Sequence, residues 1–186
     1  VRLHGHQPPL RLARQHQPAY SRALVRLLHR EYPALIAQRL SAGLAQLKRL
    51  PEVDPARTAA IGYCFGGTAA LELARAGADL KGVVSFHGGL DTPAPAKPGT
   101  VKAKVLALHG ADDPHVPQAQ VAAFEEEMRR AGADWQLVAY GGAVHSFTNP
   151  GAGSDASRGA AYNALADARS WRAMQEFFRE IFGRPQ

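Results

Sequence analysis

The feature that most constrains the fold of this chain is the turn Gly62-Tyr63-Cys64-Phe65-Gly66-Gly67, which lies between an apolar run and a helix-forming run. Residues 58–61 predict a short buried strand, and residues 68–76, with Ala, Leu and Glu, predict a helix. Glycines two positions before and two positions after the central residue leave room for a strained backbone. The sequence therefore predicts a strand, a sharp turn that carries Cys64, and a helix.

Cys64 is the only cysteine in 186 residues. At the start of a helix, unpaired backbone N–H groups and the positive end of the helix dipole stabilise a thiolate, so this position predicts a reactive thiol. The alternative interpretation is a small cysteine that packs in the core. A single cysteine also excludes an internal disulfide framework and a zinc site built from cysteines.

The length of 186 residues suits one domain with a hydrophobic core that needs neither disulfides nor metals. The sequence has no apolar run of membrane-spanning length, and it does not open with the pattern of a signal peptide. We therefore expect a soluble protein that is located in the cytoplasm.

Positive charge is concentrated in residues 1–50, which contain nine Arg or Lys and one acidic residue. Residues 51–186 contain thirteen Arg or Lys and fifteen Asp or Glu. A basic arm of this kind can bind nucleic acid or an acidic membrane. Residues 1–18, however, mix arginines with Pro, Gln and His and show neither interleaved aromatics nor a nucleic-acid motif. We predict a poorly ordered basic segment over 1–20 without a nucleic-acid, membrane or metal partner, followed by one domain over 21–186.

Apolar residues recur every three or four positions between residues 19 and 50 and predict amphipathic helix, including one helix over 34–50. After Pro51 and Pro55, short apolar runs alternate with helical patterns. This alternation predicts an α/β fold with a parallel sheet and helices on both faces. The predicted strands span 58–61, 81–86, 104–108 and 135–140, and the predicted helices after the turn span 67–76, 117–131 and 158–182.

Two further loops carry residues with catalytic chemistry. The strand that ends at Leu108 leads into His-Gly-Ala-Asp-Asp-Pro-His-Val-Pro at 109–117, and the strand that ends at Tyr140 leads into Gly-Gly-Ala-Val-His-Ser-Phe at 141–147. Because the carboxyl ends of parallel strands share one edge of the sheet, both loops begin at the edge that holds Cys64. The chain thus carries a nucleophile, an acid and a histidine in the order of an α/β-hydrolase triad.

Together, the motifs at 62–67, 109–117 and 141–147 resemble those of the dienelactone hydrolase family, and the resemblance covers roughly residues 35–183. Members of this family are α/β-hydrolases with a Cys-Asp-His triad. They hydrolyse enol-lactones and related small esters without a cofactor, often as monomers. No convincing strand precedes residue 58, so we expect an N-terminally truncated version of the family fold with about four strands.

The resemblance implies that Cys64 is the nucleophile, Asp113 the acid and His145 the base. In this scheme His145 shares the thiol proton, Asp113 holds the imidazole in the right tautomer, and the sulfur attacks the ester carbonyl. The backbone N–H of Phe65 would stabilise the oxyanion, together with a second N–H from the loop after an earlier strand.

The sequence gives less support for a catalytic or binding role of other residues near the motifs. Tyr63 and Phe147 are expected to line an apolar acyl pocket, although packing alone would also explain them. Asp112 and Asp91 are alternative candidates for the acid. The remaining expectations are structural: His87 and His109 as hydrogen-bonded histidines, and Trp135, Trp171, Phe177, Phe178 and Phe182 as core residues.

The predicted activity is hydrolysis of small carboxylic esters or lactones through a cysteine acyl-enzyme, without cofactor or metal, by a monomer or homodimer. Family members that act on carboxylated dienelactones use an arginine four residues after the histidine, where this chain has Asn149. A neutral ester or lactone is therefore expected at least as readily as a dienelactone. The alternatives are a catalytically weak or inactive relative, and a binding protein that uses its basic N-terminal arm.

Overall fold

The computed structural model describes residues 33–183. The predicted basic segment over 1–20 and the first part of the predicted helical region lie outside the described residues. In chain order the elements are α1 (Pro33–Leu47), β1 (Ala59–Tyr63), α2 (Phe65–Arg75), β2 (Gly82–Phe86), β3 (Lys104–Gly110), α3 (Gln118–Ala131), β4 (Trp135–Tyr140) and α4 (Ala164–Phe182).

The four strands form one parallel sheet in the order β1-β2-β3-β4. Ile61 of β1 pairs with Val84 of β2, Val84 pairs with Leu106 of β3, and Leu106 pairs with Gln136 of β4. This register aligns the carboxyl ends of all four strands along one edge of the sheet. The prediction of a four-stranded parallel sheet with helices is confirmed.

Two hydrophobic clusters cover the two faces of the sheet. Successive side chains of a strand point to opposite faces. Val83 and Val105 accordingly pack in a cluster with residues of α2 and α3, whereas Val84 and Leu106 pack in another with residues of α4. Helices therefore cover both faces of the sheet, as the sequence predicts. Within residues 33–183, every helix is too short or too polar to span a bilayer.

The C-terminal helix begins later than the sequence predicts. Instead of a helix from residue 158, two 3₁₀ turns span Pro150–Ala152 and Ala156–Arg158, and α4 starts only at Ala164. The side chain of Asn163 caps this helix by accepting a hydrogen bond from the N–H of Ala166 at 3.0 Å. The segment between β4 and α4 is therefore a long loop that begins at the edge of the sheet where Cys64 lies.

One expectation about apolar burial was wrong. Trp171, which the pattern of α4 assigns to the core, is 49% exposed. In the predicted helix 34–50, Ala37 is buried and Leu44 packs against the core, whereas four leucines are exposed. These exposed leucines are Leu35, Leu40, Leu47 and Leu50.

A buried ion cluster fixes the helices that pack behind the turn at Cys64. The guanidinium of Arg75 in α2 donates two hydrogen bonds to Glu127 of α3, at 2.9 and 2.8 Å, and one to Glu72 at 2.9 Å. It also donates to the carbonyl of Leu90, in the loop that follows β2, at 2.8 Å. Paired donors satisfy the buried carboxylates, so the cluster ties α2, α3 and this loop together.

The turn from β1 to α2 depends on Gly62. A Cβ at Gly62 would lie 1.9 Å from the carbonyl oxygen of Gly66, far inside contact distance. A Cβ at Gly66 itself would meet no atom within 4 Å. The expectation that both glycines make room for the turn therefore holds for Gly62 and is wrong for Gly66. Between them, the backbone of Cys64 adopts a φ of 54° and a ψ of −123°.

Replacing these two glycines separates the steric requirement from the general cost of a substitution. We expect Gly62→Ala to lower the free energy of unfolding by about 3 kcal/mol or more, because the methyl group overlaps backbone atoms. The matched control Gly66→Ala should change it by less than about 1 kcal/mol. Chemical denaturation followed by circular dichroism measures both. Equal losses in the two variants would contradict the steric account.

Candidate active site

Four side chains that follow different strands meet at the carboxyl edge of the sheet. Cys64 comes directly after β1, His87 directly after β2, Asp113 three residues after β3, and His145 five residues after β4. The sequence analysis predicted this edge for three of them. The fourth residue, His87, was expected to be a hydrogen-bonded histidine with a structural role.

The three residues predicted to act together form one hydrogen-bonded chain. The sulfur of Cys64 lies 3.1 Å from Nε2 of His145. Nδ1 of His145 lies 2.9 Å from Oδ2 of Asp113, whose side chain is fully buried. The other carboxylate oxygen of Asp113 accepts the backbone N–H of His115 at 2.8 Å. The carboxylate is thereby fixed in position, and it fixes the imidazole in turn.

The hydrogen bonds between these three residues favour a thiolate on Cys64 and an imidazolium on His145. The hydrogen bond to His145 lowers the pKa of Cys64, against the opposing effect of burial. Burial lowers the pKa of His145, but hydrogen bonds to Asp113 and Cys64 outweigh it and raise the pKa to about 9. Burial would raise the pKa of Asp113, yet its hydrogen bond to His145 brings the net shift below the ordinary value. At neutral pH the sulfur is therefore a better nucleophile than an isolated thiol.

The backbone around the sulfur adds to this stabilisation. Cys64 is the N-cap residue of α2, and its side chain makes no capping hydrogen bond. The backbone N–H of Phe65, next to the sulfur in the chain, lowers the pKa of Cys64 further. The positive end of the helix dipole acts in the same direction. An N–H beside the nucleophile is also where an oxyanion would need a donor.

An open cavity of about 500 Å³ lies beside Cys64, a size that suits a small molecule. Phe147 does not reach this cavity, because its side chain is fully buried against His87 and Tyr140. The expectation that Phe147 contacts substrate is therefore wrong in this structure. The cavity is lined by Tyr63, Cys64, His87, Ser146, Thr148, Asn149, Pro150, Asp167 and Trp171.

Backbone strain is concentrated in the same cavity. Among residues 33–183, the non-glycine residues with positive φ are Cys64 at 54°, His87 at 40° and Ser146 at 59°. All three line the cavity. Such conformations cost roughly 1–3 kcal/mol each and persist where surrounding structure imposes them, often at functional sites. No sequence pattern predicts the strained backbone at His87 or Ser146.

His87 holds the backbone of the turn at Cys64. The N–H of Cys64 donates to the carbonyl of Phe86 at 3.0 Å and to Nδ1 of His87 at 3.2 Å. Nε2 of His87 therefore carries the proton and donates to the hydroxyl of Thr148 at 2.8 Å. Burial, aided by the nearby charge of His145, lowers the pKa of His87 to about 4. His87 stays neutral at pH 7 and does not compete with His145 for a proton.

The alternative acids lie outside this hydrogen-bonded chain. Asp112 accepts the N–H of Gly142 at 3.1 Å and makes no hydrogen bond to His145. Asp91 is exposed, on the loop after β2. His109 is buried as expected, but its Nδ1 has no hydrogen-bond partner among residues 33–183.

No cluster of three or more His, Cys, Asp or Glu side chains suited to a metal ion occurs in the part of the chain that the structure describes. A second cavity of about 500 Å³ lies against α4 and contains neither Cys nor His.

The family description that matches this chain is the dienelactone hydrolase family, over residues 9–182. This match begins earlier than residue 35, where the sequence motifs placed its start. A solved structure described as a dienelactone hydrolase-like promiscuous phosphotriesterase from metagenomic libraries is 44% identical, with a TM-score of 0.77. The alignment covers 88% of this chain and 67% of that chain.

Two curated relatives differ in how much of their length this chain spans. An uncharacterised protein of Caenorhabditis elegans is 41% identical over 147 residues, which are 77% of this chain and 92% of the relative. A Synechocystis protein with the provisional name carboxymethylenebutenolidase is 29% identical over 157 residues, which are 78% of this chain and 59% of the relative. The chain thus spans little more than half of the bacterial relative.

The pH dependence of alkylation tests the state of the thiol. With one cysteine in the chain, iodoacetamide reacts at Cys64 alone. We expect the alkylation rate to show its inflection below the ordinary thiol pKa of about 8.5, so that reactivity persists to lower pH. In His145→Ala the inflection should move upward, because the largest contact that lowers the pKa is lost.

The control for this measurement is Asp112→Asn, which removes a neighbouring carboxylate that does not contact His145 and should leave the inflection in place. An inflection at or above the ordinary value in the parent protein, unmoved by His145→Ala, would contradict the thiolate–imidazolium pair.

Proposed function

Because the chain belongs to the dienelactone hydrolase family, we propose that it hydrolyses small carboxylic esters or lactones through a thioester formed on Cys64. The family and its relatives support a carboxylic ester hydrolase with a small-molecule substrate. The observation that carries the proposed mechanism is the 3.1 Å contact between the sulfur and His145, beside an open cavity. The cytoplasmic location and the monomeric or homodimeric state stay predictions.

In the first half of the proposed reaction, the thiolate of Cys64 attacks the carbonyl carbon and forms a C–S bond. The carbonyl π electrons move to oxygen, which accepts a hydrogen bond from the N–H of Phe65. The tetrahedral intermediate then collapses and the ester C–O bond breaks. Protonated Nε2 of His145 gives its proton to the leaving alkoxide, and the acyl group stays on sulfur.

In the second half, neutral His145 accepts a proton from water while the water oxygen attacks the thioester carbonyl. The C–S bond breaks, the carboxylic acid leaves, and the thiolate and imidazolium are restored. Asp113 supports both halves, because its hydrogen bond to Nδ1 keeps Nε2 directed at the sulfur and stabilises the imidazolium. The loss of one oxyanion donor costs roughly 2.7–4 kcal/mol in transition-state stabilisation.

The cavity lining favours neutral substrates over carboxylated dienelactones. Among the described residues no Arg or Lys lines the cavity, and Asn149 occupies the position where family members that act on carboxylated dienelactones use an arginine. The described lining therefore offers a substrate carboxylate no guanidinium or ammonium partner. The relatives include a protein named as a carboxymethylenebutenolidase and a solved structure described as a promiscuous phosphotriesterase. We propose a small uncharged ester or lactone as the substrate class.

Hydrolysis of p-nitrophenyl acetate by matched variants tests this proposal. We expect Cys64→Ala to lose about 10³-fold or more in kcat, because no other group can form the thioester. Asp113→Asn should lose about 10²- to 10⁴-fold, since the imidazole loses its orienting carboxylate.

Asp112→Asn is the control for the neighbouring position, and it should stay within a few fold of the parent. The hydrolase proposal fails if Cys64→Ala hydrolyses the ester as fast as the parent protein.

A further inference from the structure

One side of the cavity beside Cys64 has no part in the proposed mechanism. It is formed by Asp167 and Trp171 of α4 together with Tyr63 at the end of β1. Residues four apart lie on the same face of a helix, so Asp167 and Trp171 face the cavity from successive turns. Trp171 is 49% exposed and Tyr63 is 43% exposed, which leaves large aromatic surfaces open to a bound molecule.

The electrostatic character of this side is negative. No ion pair joins Asp167 to a Lys or Arg among residues 33–183, and the described lining of the cavity contains no Lys or Arg. His87 is neutral at pH 7, because burial lowers its pKa to about 4. The carboxylate of Asp167 accepts one hydrogen bond, from the hydroxyl of Tyr162 at 3.1 Å. Its charge therefore acts on whatever enters the cavity.

Asp167 and Tyr63 line the same cavity. Burial and the negative charge of Asp167 together raise the pKa of Tyr63. Tyr63 is held in place from behind, because its ring stacks on Phe86 with centroids 4.5 Å apart and planes within 14°. The cavity therefore presents one oriented aromatic ring, a second aromatic ring and a carboxylate to the same volume.

A carboxylate with tyrosine and tryptophan is the combination that binds quaternary ammonium groups in water. The positive charge is attracted by the negative faces of the rings and by the carboxylate, and the methyl groups pack on the aromatic surface. A ligand that carries a carboxylate would instead be repelled by the negative charge of Asp167.

We propose that Asp167, Trp171 and Tyr63 form a subsite for a quaternary ammonium group carried by the ester substrate. This inference rests on the proposed hydrolase function and narrows its substrate class. Asp167 supplies the charge, and the two rings supply the surface that receives the cationic head while the ester carbonyl lies at the sulfur of Cys64.

Three p-nitrophenyl esters of matched shape test the subsite. Their acyl groups are 4-(trimethylammonio)butyrate, its neutral isostere 5,5-dimethylhexanoate, and the anionic half-ester glutarate. At low and constant ionic strength we expect kcat/KM to be about 10-fold higher for the cationic ester than for the neutral one, and lowest for the anionic ester. Asp167→Asn keeps an acceptor for Tyr162 and should bring the cationic and neutral esters to within about 2-fold.

The control variant Glu176→Gln removes an exposed carboxylate from the same helix outside this cavity, so it should retain the full preference. Equal kcat/KM for the cationic and neutral esters in the parent protein would overturn the subsite. A preference that persists unchanged in Asp167→Asn would overturn it as well.

A binding measurement separates failure of the subsite from failure of the hydrolase proposal. Choline should slow alkylation of Cys64 by iodoacetamide more than its neutral isostere 3,3-dimethylbutan-1-ol does, and Asp167→Asn should abolish the difference. If none of the three esters is hydrolysed, the hydrolase proposal fails while choline protection still supports the subsite. Equal protection by the two alcohols overturns the subsite whatever the turnover.

Discussion

The site depends on the backbone conformation of Cys64, which holds the sulfur 3.1 Å from His145. A φ of 54° is costly for a residue with a Cβ, so the surrounding structure has to impose it. Gly62 permits the close passage of the Gly66 carbonyl, and His87 accepts the N–H of Cys64. The same turn makes Cys64 the N-cap of α2, where backbone N–H groups favour a thiolate. Strand end, helix start and nucleophile are thus one local structure.

Much of this arrangement could be predicted from the sequence, because it depends on patterns that are local in the chain. The motif around Cys64 and the alternation of apolar runs with helices predict a parallel sheet and one edge for Cys64, Asp113 and His145. The family resemblance favours Asp113 over its neighbour Asp112, and in the structure it is Asp113 that contacts His145.

The parts that sequence analysis missed depend on contacts between distant segments. Trp171 lies on an apolar-looking stripe of α4, yet in the structure it lines the cavity and is not part of the core. Phe147 was expected in the acyl pocket and is instead buried beneath it, because its ring packs on His87. The role of His87 itself arises from pairing between β1 and β2. A helical or strand period carries no information about which element will cover a given side chain.

The central claim is that the sulfur of Cys64 carries the acyl group during turnover. The most direct test is rapid acid quenching of the protein during hydrolysis of a p-nitrophenyl ester, followed by mass spectrometry of the intact chain and its peptides. The account predicts a mass increase equal to the acyl group on the peptide that contains Cys64, formed with the first release of p-nitrophenol. A burst of p-nitrophenol with Cys64 unmodified, or with the acyl group on another residue, would contradict it.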